Sequence, residues 1–110
     1  MHIIPILHLA VAAIVAMLAI PLIQRRVKMN HLYGFRLREA FESEAAWFDI
    51  NHYGGRLLLA WAALIAVTAT VGLTLEKQNL LAYCWTSVGI IMGGLAIMAY
   101  MASSYAKKRK

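Results

Sequence analysis

LLLAWAALIAVTATVGLTL, residues 57–75, is followed by EKQN, residues 76–79, and then by LLAYCWTSVGIIMGGLAIMAYMASSY, residues 80–105. Neither run contains a charged side chain. A bilayer core of ~30 Å is crossed by ~20 helical residues, so each run is long enough to span. Four residues between two spans leave room only for a tight turn. The pair reads as an antiparallel helical hairpin, with the longer second run tilted or partly interfacial.

Working outward, residues 2–23 form another uncharged run that ends before Arg25. It lacks the basic n-region of a signal peptide and reads as a third span. Pro5 suits a first helical turn, and Pro21 should kink or end the helix. Over the whole chain of 110 residues, 62% are hydrophobic and 15% charged. Soluble domains carry about 45–50% and about 25%, so the composition excludes a soluble domain and points to one integral membrane domain, residues 1–110. Cys84 is the single cysteine; it has no disulfide partner in the chain and reads as a small buried hydrophobe.

Charge placement sets an expected orientation. Six basic residues lie in 24–56 (Arg25, Arg26, Lys28, Arg36, Arg38 and Arg56) and four in the tail (Lys107, Lys108, Arg109 and Lys110), against Lys77 alone in the 76–79 turn. The positive-inside rule then puts 24–56 and the C-terminus in the cytoplasm, and the N-terminus and the turn outside the inner membrane. The net charge of +6 becomes a topology signal with attraction to anionic lipid headgroups. No aromatic-interleaved basic patch suggests nucleic acid.

Small residues supply the expected helix contacts. Gly89 and Gly93 form a GxxxG pair, and Ala62, Ala66 and Thr70, like Ala12 and Ala16, line up at similar spacing. Such stripes let backbones approach closely; packing of the three helices within one chain is preferred over a homo-oligomer face.

Residues 24–56 carry the specific information. A connector could be far shorter, and this one is rich in aromatics. Ser43 before Glu44 reads as an N-cap with an acid in the first turn. From there Trp47, Ile50, Asn51 and Gly54 share one face, while Glu44, Phe48 and His52 share another. The expectation is an all-α membrane protein whose first two spans are joined by a cytoplasmic amphipathic helix at the interface, anchored by Trp47 and Tyr53. Gly54-Gly55 then makes an elbow or a close helix contact.

Asn30, then Tyr33-Gly34-Phe35-Arg36, then Ser43-Glu44 leading to Trp47, then Asn51 and Gly55 before an apolar span: this order resembles the SdpI family of small bacterial membrane proteins. The family commonly has Thr-Pro after the arginine, where this chain has Leu37-Arg38, and its founding protein has further spans. The resemblance implies immunity against a membrane-active peptide toxin, or signalling, without enzymatic chemistry. From the residues themselves, Arg36 is able to grip a phosphate or carboxylate through two parallel hydrogen bonds. Together with Asn30 and Asn51 it forms either a ligand or partner pocket or a structural clasp to Glu44. Gly34 suits a positive-φ turn or a close approach. His31 and His52 with Glu42, Glu44 and Asp49 lack close metal-site spacing, and His2 and His8 are six apart, so no metal or cofactor is expected. No Ser, Thr or Cys has an acid and a His at suggestive spacing. The other classes in view are an accessory subunit of a larger membrane complex and a lipid- or small-molecule-binding membrane protein.

Overall fold

The computed structural model describes residues 3–75 and 79–109, and these fold into three long helices without a strand. Helix α1 spans Ile3–Ile23, α2 Glu44–Thr74 and α3 Leu80–Lys108. All three are long and apolar enough to cross a membrane. Large hydrophobic side chains such as Ile6, Ile14, Met17, Val67, Leu81 and Ile97 are exposed along their lengths, an arrangement suited to lipid and costly in water. His2, Lys110 and the greater part of the expected turn, residues 76–78, lie outside the described residues.

Helix α2 is the middle element, with α1 and α3 packed against it. Ala19 and Leu22 of α1, Ala62, Ile65 and Ala69 of α2, and Ala102 and Ala106 of α3 are buried. Small side chains at these crossings bring backbones close enough for dispersion contacts to accumulate. Pro21 does not end α1, which continues two residues to Ile23.

One expectation fails. No separate amphipathic helix lies between the first two spans. Residues 44–56 are the opening turns of α2 itself, continuous through 31 residues. Ser43 caps the helix as expected, its Oγ accepting from the Ala46 N–H at 2.9 Å, and no proline follows to interrupt the ladder. Gly54-Gly55 makes no elbow. A side chain on Gly55 would meet Ile23 Cγ1 at 2.9 Å and the Ala19 carbonyl oxygen at 3.1 Å, so its lack of one sets how closely α1 crosses α2.

The connector is instead residues 24–43, which fold back over the end of the bundle as a collar. A short 3-10 helix, Arg38–Glu42, lies within it and packs on α2 and α3. Beneath the collar sit Ala46, Trp47, Ile50 and Ala106, with Ala40, Val27, Phe35, Leu37 and Phe41 of the collar against them. The same end carries the C-terminal turn of α3, where Arg109 Nε donates to Asp49 Oδ2 at 2.8 Å.

At the glycines of α3 the structure also departs from expectation. A Cβ on Gly89 or Gly93 would have nothing within 4 Å, whereas one on Gly94 would meet Trp61 Cδ1 at 2.7 Å. The GxxxG pair therefore packs on nothing among the described residues, and the α2–α3 contact uses its neighbour Gly94.

Candidate functional site

The collar starts where α1 stops. The Arg25 N–H donates to the Leu22 carbonyl at 3.2 Å and the Arg26 N–H to the Pro21 carbonyl at 3.0 Å, the paired bonds of a Schellman cap. Arg25 stands at the left-handed position with φ 57°, where glycine is the common occupant. The His52 ring reaches the same end of α1, with Nδ1 2.7 Å from the Ile23 carbonyl oxygen. A nitrogen that donates there has no lone pair for Arg25 Nη1, which lies 3.4 Å away; we read the Ile23 bond as the real one.

Asn30 builds the next turn. Its Oδ1 accepts from the N–H groups of Leu32 at 2.8 Å and Tyr33 at 2.7 Å, and its Nδ2 donates to the Lys28 carbonyl at 2.7 Å. This is an Asx turn. It leaves Leu32 at 91% exposure at the tip and turns Tyr33 inward, so that its hydroxyl donates to the Leu18 carbonyl of α1. Burial pushes the Tyr33 phenol above its usual range.

Gly34, Trp47 and Asn51 converge. Gly34 has φ 116°, and a Cβ there would lie 2.7 Å from Asn51 Oδ1 and 3.2 Å from the Trp47 ring. Both reasons foreseen for a glycine apply at once. Asn51 is 1% exposed and spends its amide on backbone: Oδ1 accepts from the Phe35 N–H at 2.5 Å, and Nδ2 donates to the Trp47 carbonyl at 3.0 Å. Trp47 Nε1 donates to the Val27 carbonyl at 2.8 Å. Trp47 is fully buried, so it is no headgroup anchor; it is the post around which the collar is wound. The face Trp47–Ile50–Asn51–Gly54 is the one expected from spacing, and it meets protein instead of lipid.

Arg36 and Glu44 do not pair. Arg36 Nη1 donates to the His31 carbonyl at 2.6 Å, and both Arg36 and Glu44 are exposed. The clasp reading is thereby corrected: Asn30 and Asn51 hold the collar through its backbone, and Arg36 closes the segment 31–36 while itself remaining exposed. His31 stacks on Phe41 with ring centroids 5.2 Å apart. Gly55, the last expected site residue, belongs to the α1–α2 crossing.

Three arrangements had no clear sequence signal. The Phe35 ring occupies the space beside Gly54 where a side chain would stand. At the α3 end, the Tyr105 hydroxyl donates to Asp49 Oδ1 at 2.8 Å, and Tyr53 stacks on Tyr105 at 4.1 Å. At the far end, Tyr83 of α3 crosses the bare backbone of Gly72 and its hydroxyl meets His8 Nδ1 of α1 at 2.6 Å. A tyrosine and a histidine 75 positions apart show no sequence pattern that would pair them.

The family model described as the SdpI/YfhL protein family matches residues 26–105. The chain belongs to this family. The matched region takes in nearly the whole collar, all of α2 and most of α3, and therefore each residue on which the resemblance rested. No curated protein and no solved structure matches the chain. The chain is thus a membrane protein of this family with three candidate spans, and most of the residues on which the resemblance rested wind and fix the collar.

Proposed function

We propose that this SdpI-family protein acts without catalysis, in immunity or signalling against a membrane-active peptide, with the collar as its recognition surface. One observation carries the reading. Trp47 and Asn51, both buried, and Gly34 beside them are used up in holding the collar to α2, and what they hold outward is Leu32 and Arg36 on a hydrogen-bonded turn. An exposed leucine beside an arginine, on a backbone already fixed, offers an apolar contact and a carboxylate- or phosphate-binding fork without an ordering cost at the moment of binding. The side of the membrane follows from the basic residues: collar and C-terminus cytoplasmic, N-terminus outside.

The test is survival of a sensitive bacterium that expresses the protein while challenged with a cationic membrane-active peptide or a secreted peptide toxin. Protection should be lost with Arg36→Lys and Leu32→Ser while both variants insert at wild-type level. Protection by neither the protein nor its variants, across toxins of both kinds, would remove the immunity reading. Orientation is read separately by thiol labelling in a Cys84→Ser background. A cysteine at Lys108 should react with an impermeant reagent only after permeabilisation, and one at Gln78 without it.

A second reading, an accessory subunit or a homo-oligomer, is favoured by Gly89 and Gly93, whose open faces have no partner within the described residues. Purification in mild detergent distinguishes it: a stoichiometric companion, or a second copy, should be lost with Gly89→Leu.

A further inference from the structure

Two cavities run end to end along the α2–α3 seam at the collar end of the molecule. The outer one, about 250 Å³, is lined by Tyr53, Tyr100, Ser104 and Lys108, together with Met101 and Tyr105. The inner one, about 230 Å³, is lined only by apolar groups and the Trp61 ring, and shares Met101 with the first. Trp61 forms a firm floor there: its ring lies against the bare backbone of Gly94, and its Nε1 donates to the Ile91 carbonyl at 3.1 Å.

The two halves differ in chemistry. In the outer cavity the Tyr53, Tyr100 and Ser104 hydroxyls and the Lys108 ammonium have no hydrogen-bond partner among the described residues. Arg109, the neighbouring cation, is already committed to Asp49. Lys108 is therefore the one cation among the described residues lining this cavity, and it is left uncompensated; Arg56 is exposed one turn along α2 from Tyr53. Three hydroxyls and a cation at the edge of an apolar groove ask for a ligand with an anionic, hydrogen-bond-accepting head and a hydrocarbon tail.

We propose that this groove is a binding site for a single anionic phospholipid, its phosphate at Lys108, Ser104 and the two tyrosines, and one acyl chain laid over Met101 and Trp61. The site is separate from the Leu32–Arg36 turn and does not depend on the role given to it. Charge complementarity chooses the anionic over the zwitterionic headgroup, and the continuous apolar half chooses a lipid over a free phosphate.

The experiment adds lipid back to the delipidated full-length protein in detergent and counts bound lipid by native mass spectrometry. The probes are phosphatidylglycerol, phosphatidylcholine with the same chains, and soluble glycerol phosphate. One phosphatidylglycerol should bind about fivefold more tightly than phosphatidylcholine, the ratio expected from one uncompensated basic residue at the surface. Ser104→Ala with Lys108→Ala should erase that preference while leaving binding of the first lipid in place. Ala60→Phe, which fills the inner cavity from an exposed helix position, should weaken both lipids. Glycerol phosphate should not compete. Equal binding of the two lipids to the wild type would overturn the site, leaving non-specific annular lipid. Full competition by glycerol phosphate would overturn it in favour of a soluble phosphate site. A preference untouched by the Ser104 and Lys108 changes would place it elsewhere on the protein, and overturn it too.

Discussion

Asn51 takes the place of a strand partner for Phe35: its Oδ1 accepts the Phe35 N–H at 2.5 Å and its Nδ2 stands 3.5 Å from the Phe35 carbonyl oxygen. One side-chain amide on a helix thus satisfies an irregular segment that has no secondary structure of its own. Replacing Asn51 by Leu keeps the branched outline of the side chain and leaves the part-buried Phe35 N–H without its acceptor. The expected loss is about 1–3 kcal/mol, read as a lower thermal midpoint in detergent. Hydrogen exchange should rise at Phe35 and stay slow in the centre of α2. An unchanged midpoint would mean that the collar is held by its apolar contacts alone.

The glycines should separate into two classes. Alanine at Gly34 meets both a left-handed backbone and Asn51, and should cost about 1–3 kcal/mol. At Gly54 and Gly72 it meets the Phe35 and Tyr83 rings and should also destabilise. At Gly89 and Gly93 it meets open space and should be neutral or raise stability by about 0.5–1 kcal/mol. The comparison is a single series of melting curves.

The Asp49–Arg109 pair is about one-third exposed on each side, so its coupling should be modest. A double-mutant cycle with Asp49→Asn and Arg109→Gln should give about 0.2–1 kcal/mol, declining as salt is raised. Tyr105→Phe should cost more than Arg109→Gln, since it removes a less exposed bond to the same carboxylate. Equal costs would contradict that order.

Arg25 occupies a left-handed C-cap position with φ 57°. Arg25→Gly should leave the stability of the isolated protein unchanged or raise it by up to about 1 kcal/mol, because relieved strain offsets the lost side chain. A clear loss would show that the guanidinium contributes to the collar, its charge acting on the Asp49 carboxylate.

How much of this was legible depended on distance along the chain. Spans showed as uncharged runs, and the Ser43 cap and the Trp47–Ile50–Asn51–Gly54 face as local spacings, because helix geometry links residues three and four apart. The surroundings of that face were misread. An amphipathic stripe fits an interface and a buried contact equally well, and only the path of residues 24–43 decides between them. The same path decided against Arg36–Glu44: the carbonyl of His31, five residues back, was the nearer acceptor. Asp49–Tyr105, Asp49–Arg109 and His8–Tyr83 join residues 56, 60 and 75 positions apart, and nothing in local periodicity encodes such pairs.

Helix α2 runs unbroken from the collar to the crossing of Tyr83 over Gly72, with Trp47 and Gly72 about 38 Å apart at 1.5 Å per residue. That shaft joins the two ends of the bundle. The Trp47 post and the notch at Gly72, through which Tyr83 reaches His8, are two stations on one helix with no break between them.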